Sequence, residues 1–125
     1  MRLYGGPWPA RFRFASGSFQ DCLDQASLLI GNTSSTCVEA LARGTPVIII
    51  GSQSGLTQNP VPWEIKEDIW KLCYTAQGVA EAIDEYRART PEKVSEHTRL
   101  GQEIRKHYFE PTTRESVRKF LRLPV

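Results

Sequence analysis

The chain has 125 residues, 40% of them hydrophobic and 24% charged, and a formal net charge of +2. That length suits one domain of ordinary size and not two. So small a charge excess gives no sign of a strongly basic surface for nucleic acid or an anionic membrane, and no stretch approaches the ~20 apolar residues that span a bilayer.

The opening stretch, MRLYGGPWPARF, lacks the apolar centre of a signal peptide, so a cytoplasmic location is expected. Arg11, Phe12, Arg13 and Phe14 then alternate with period two, which predicts a short strand with one buried face. Ser18 with Asp21 three residues on forms a capping box, opening a helix to Ala26. Residues 27–30 are a short apolar run, the pattern of a strand covered on both faces. Val38, Leu41 and Ala42 lie at helical spacing, and Gly44 supplies a left-handed stop. The next run, TPVIII at 45–50, reads as a second buried strand whose Pro46 can sit only at its start.

From 51 to 62 the composition turns to Gly, Ser, Gln, Asn and Pro, a long loop of the kind that carries function. A third buried strand is predicted over 69–75, followed by a helix with Val79, Ala82, Ile83 and Tyr86 on one face. Thr90 and Pro91 form an N-cap and first-turn proline for a helix that turns Val94, Leu100, Ile104 and Tyr108 inward. Thr112 and Glu115 suggest another capping box before a last, basic helix through Leu121.

Strands alternating with helices argue for an α/β fold, a single Rossmann-like domain over 1–125 with a parallel sheet, its C-terminal helices at about 90–122. Residues 27–50 form one βαβ crossover, expected to be right-handed. Ligands of such sheets gather beyond the carboxyl ends of the strands. The loops at 31–36 and 51–59, with Gly51 and Ser52 opening the second, should face one crevice there.

Four of the five residues from Asn32 to Thr36 carry hydroxyls: Thr33, Ser34, Ser35 and Thr36. Short donors before a helix suit a phosphate or diphosphate, because free helix amides and the dipole favour an anion at that end. Gly31 leaves room for close approach. No G-x-x-x-x-G-K-[ST] pattern is present, so binding and orientation fit better than cleavage. Glu39 lies about one turn inside the same helix, where a carboxylate can accept two hydrogen bonds from a ribose diol. The competing reading is a simple capping box, Thr36-x-x-Glu39, with no ligand at all.

The stretch DCLDQASLLIGNTSSTCVEALARGTPVIII resembles the C-terminal, donor-binding domain of GT-B-fold glycosyltransferases. Their signature is a strand ending in Gly, a Ser/Thr-rich turn, a helix with the pattern xxEALAxGxPVI and a further strand. The resemblance implies a Rossmann-like three-layer domain, one half of a GT-B fold. It implies a nucleotide sugar as ligand (UDP-, GDP- or CMP-linked), its diphosphate at Thr33, Ser34, Ser35 and Thr36 and its ribose at Glu39. The match is strongest over 21–50. Gly31 occupies the position where many relatives carry a second glutamate, eight residues before the first, and the family's basic pair for the diphosphate has no counterpart here. Such an enzyme closes two domains over the donor, so this chain needs an N-terminal acceptor domain or partner chain, and alone is expected to bind without turning over.

The resulting reading is the donor half of a glycosyltransferase in polysaccharide or glycolipid assembly, with catalytic residues unknown. Half of a nucleotide-sugar epimerase and a non-catalytic module of the same fold are the alternatives. No cofactor or metal is expected. Cys22, Cys37 and Cys73 lack C-x-x-C spacing and read as reduced thiols, while His97 and His107, ten residues apart, read as solvent-facing or helix-capping.

Overall fold

The computed structural model describes residues 6, 7 and 9–124. The reading of the first twelve residues as lacking a signal peptide falls partly on residues outside this set. The elements are α1 (Phe19–Gln25), β1 (Leu29–Gly31), α2 (Thr36–Leu41), β2 (Val47–Ile50), β3 (Trp70–Cys73), α3 (Ala76–Arg87), α4 (Pro91–Tyr108) and α5 (Arg114–Phe120). The sheet is small and wholly parallel, in the order β1-β2-β3, with Leu29 opposite Val47 and Val47 opposite Trp70. This is an α/β fold with a three-stranded parallel sheet flanked by helices. Among the described residues no helix is long and apolar enough to cross a membrane.

The central strand explains why the fold holds. Val47, Ile48 and Ile49 are fully buried, and each such side chain stabilises the folded state by ~1.5–3 kcal/mol. Successive strand residues face opposite ways. Val47 and Ile49 pack with Leu23 of α1, Cys37 and Leu41 of α2 and Ile104 of α4, whereas Ile48 packs with Ala82 and Tyr86 of α3.

Most helix starts follow from local chemistry. The Ser18 hydroxyl accepts from the Asp21 N–H at 3.1 Å, and the Asp21 carboxylate accepts from the Ser18 N–H at 3.3 Å. Thr75 caps α3 through the Gly78 N–H at 3.0 Å, and Thr90 caps α4 through the Lys93 N–H at 3.2 Å, with Pro91 in the first turn. The last cap is displaced by one residue from the sequence reading. Thr113, not Thr112, caps α5, and the hydroxyl of Ser116, not the Glu115 carboxylate, closes the box.

Three other expectations are corrected. Arg11 to Phe14 form no strand; the segment is irregular and Phe14 is 80% exposed. The alternating pattern was right for a strand, but β1 is the last described strand on that side of the sheet. β1 is not covered on both faces either, since Ile30 is 43% exposed. His97 is neither solvent-facing nor a cap but is 1% exposed.

His97 joins three segments. A guanidinium can only donate, so Arg89 Nη1, 2.9 Å from His97 Nδ1, fixes that nitrogen as the acceptor. The opposite nitrogen, Nε2, then donates to Asp68 Oδ2 at 3.0 Å. Lys93 Nζ also reaches Asp68, at 3.2 Å. Replacing His97 with Leu keeps the bulk but leaves Arg89 Nη1 without its acceptor, while Arg89 Nε keeps Tyr86 O, and should cost about 2 kcal/mol in urea unfolding. Burial acts to raise the Asp68 carboxyl, but the hydrogen bonds from His97 and then Lys93 hold it below its ordinary 3.8. With the folded value depressed, the carboxylate's contribution is complete above about pH 4 and is lost as pH falls through the folded value. Asp68→Asn should therefore flatten the decline in melting temperature below about pH 4.

Candidate functional site

The crossover from β1 through α2 to β2 places the predicted site residues. Gly31 ends β1, and Asn32, Thr33, Ser34 and Ser35 form an exposed turn before α2. Within the turn the Ser34 hydroxyl oxygen accepts from the Thr36 hydroxyl at 2.8 Å and from the Thr36 N–H at 3.3 Å. The Cys37 N–H donates to Ser34 O at 3.1 Å and the Val38 N–H to Ser35 O at 3.0 Å.

The first amides of α2 are thus bonded inside the turn, which changes the expected basis of anion binding. Within the turn, the side chains of Asn32, Thr33 and Ser35 and the backbone N–H groups of Thr33, Ser34 and Ser35 have no hydrogen-bond partner among the described residues. A phosphate at this turn would meet these donors, and would reach the Thr36 amide only by displacing the Ser34 hydroxyl. A Cβ at Gly31 would stand 3.2 Å from Cys37 Sγ, a tight contact that packing alone would disfavour.

Glu39 does not close a cap. The N-cap of α2 is Ser35, whose side chain makes no capping hydrogen bond. The Glu39 carboxylate instead accepts from Gln20 Nε2 at 2.8 Å. Gln20 in turn accepts from Arg43, which also pairs with Asp24. This network ties α1 to Glu39 within α2 and to Arg43 just past its end, and the half-buried Glu39 lines a cleft of about 430 Å³. The cleft is also lined by Arg105 in the last turn of α4 and by Phe109, Glu110, Pro111 and Thr112 between α4 and α5. None of residues 31–36 lines it.

Gly51 and Ser52 follow β2 at the same end of the sheet, one strand over from Gly31. Gly51 is buried against Tyr74, where a Cβ would come within 2.5 Å of the ring. The Ser52 N–H donates to Thr57 Oγ1 at 2.9 Å and its hydroxyl oxygen accepts from the Ser54 N–H at 3.3 Å. The loop is therefore folded on itself. Trp63, just beyond it, is 88% exposed, while Trp70 is buried and donates to Ile65 O at 2.8 Å.

Burial pushes the thiols of Cys37 and Cys73 up, away from thiolate character, which fits packing and not nucleophilic chemistry. Among the described residues no group of three His, Cys, Asp or Glu side chains could hold a metal ion. Arg105 and Phe109 escaped the sequence reading because they lie more than sixty residues from Glu39 and nothing local marks them. No protein-family model, no curated protein and no solved structure matches the chain.

Proposed function

We propose that the chain is the nucleotide-sugar-binding half of a cytoplasmic GT-B-type glycosyltransferase, a Rossmann-like three-layer domain serving polysaccharide or glycolipid assembly. The observation that carries this reading is Glu39, a carboxylate that does not cap its helix and is held beside a cleft by Gln20. A carboxylate so placed suits the two hydroxyls of a ribose, and charged acceptors form the stronger bonds. The hydroxyls of Thr33 and Ser35, one turn earlier, are available to the diphosphate.

In the intact enzyme this half would fix the donor so that an acceptor hydroxyl from the other domain meets the anomeric carbon. Its share of catalysis would be orientation and stabilisation of the departing diphosphate. Calorimetric titration with UDP-, GDP- and CMP-linked sugars tests the reading. One of the three should bind without a divalent cation, and the isolated chain should show no transfer. Absence of binding by all three overturns it.

A further inference from the structure

The small net charge of the chain conceals an uneven distribution. Residues 105–124 hold six Lys and Arg against two Glu, whereas the remainder holds ten against twelve Asp and Glu. Asymmetry of this kind points to an anionic partner for the basic part.

α5 lies inside that basic stretch and buries none of its residues. Val117, Phe120 and Leu121 fall at i, i+3 and i+4, which places them on one side of the helix. Phe120 is 85% exposed, and Val117, Leu121 and the following Leu123 are exposed as well. The remaining positions of α5 carry Arg114, Glu115, Ser116, Arg118 and Lys119. Lys119 stands 3.8 Å from Glu110, while Arg114, Arg118 and Arg122 have no ion-pair partner among the described residues. Short helices owe most of their stability to the packing of an apolar face, and this one presents its apolar face to solvent.

Large apolar side chains and unpaired cations therefore stand side by side on one short helix. A nucleic acid would meet the cations but leave Phe120 and Leu121 in water. A lipid surface meets both, because it sets anionic headgroups above hydrocarbon, and long basic side chains reach the headgroups while their apolar neighbours insert. We propose that α5 with residues 121–123 docks the protein on an anionic lipid surface, lying in the interface without spanning it. Phe120, Leu121 and Leu123 enter the acyl boundary, and Arg114, Arg118 and Arg122 pair with lipid phosphates. This surface is independent of the nucleotide-binding reading above.

The test is co-sedimentation of the full chain with vesicles of phosphatidylcholine alone and of phosphatidylcholine mixed with phosphatidylglycerol. The chain should bind the mixed vesicles more tightly, and added salt should weaken that binding. Phe120→Ser should lower the affinity roughly ten-fold. Arg114→Gln combined with Arg118→Gln should lower it roughly thirty-fold, at about 1 kcal/mol for each basic residue near the surface. None of these side chains is buried, so the melting temperature should not move. Leu56→Ser is the control, because Leu56 is fully exposed in the loop at 51–62, outside α5, and its loss should leave vesicle binding unchanged. No binding to either vesicle overturns the proposal and leaves the face to a protein partner. Binding that Phe120→Ser does not weaken, or that Leu56→Ser weakens equally, also overturns it.

Discussion

Gly101→Ala should be among the most damaging single-methyl changes in the molecule. A Cβ at that position would stand 2.4 Å from Gly44 N, 2.9 Å from Gly44 Cα and 2.9 Å from Leu41 O. All three are backbone atoms, which cannot swing aside as a side-chain tip can. Alanine in a helix interior would otherwise gain ~1 kcal/mol over glycine, so the sign of the result is itself informative. Overpacking of this kind costs about 1–3 kcal/mol and occasionally more, and contact with backbone on every side places Gly101 at the upper end. A net loss of about 3 kcal/mol should lower the melting temperature by roughly 10 °C or more, measured by circular dichroism. Gly55→Ala is the control, because its nearest neighbour, Ser52 Oγ, is 3.4 Å away and the loop is exposed. A Gly101→Ala variant as stable as wild type would mean that α4 can lift from α2 without loss.

Glu39→Ala should separate the two roles a glutamate can have at a helix start. Alanine is the best helix former, and Ser35 already occupies the cap position, so α2 should persist. What disappears is the charged acceptor. Hydrogen bonds to charged groups are worth about 1.5–3 kcal/mol, so the bound nucleoside diphosphate should lose roughly ten- to hundred-fold in Kd. Inorganic pyrophosphate, which has no ribose, should bind as before. Equal losses for both ligands would show that Glu39 acts only through the Gln20 and Arg43 network that braces α1 against α2.

The legible parts of the fold were those fixed by neighbours in sequence. The Ser18 and Asp21 box, the Thr90 and Pro91 start and the positive φ of +76° at Gly44 all depend on residues within a turn of one another. Thr112 has the spacing to Glu115 that a capping box needs, but the path of the chain after Pro111 puts the neighbouring Thr113 at the cap. Arg11 to Phe14 had the period of a strand, but period does not provide a neighbouring strand to pair with. His97 lies at helical spacing from Leu100, Gly101 and Ile104, a pattern that marks the inner face of α4; its polar identity drew attention away from that position. In the site, Asn32 to Thr36 and Glu39 stood out by composition. The bonding of the α2 amides by Ser34 and the opposite wall of the cleft required coordinates, because the first is a matter of turn geometry and the second of tertiary approach.

The strand order has a bearing on how the molecule is made. Each strand lies next to the one synthesised just before it, so a nascent chain leaving the ribosome can lay down β1, β2 and β3 in turn without waiting for a distant partner. α4 emerges after all three strands and seats its Gly101 against Gly44 and Leu41. A chain stopped after residue 90 should accordingly hold a loosely packed sheet, and acquire a sharp unfolding transition only once the helix carrying His97 and Gly101 has emerged.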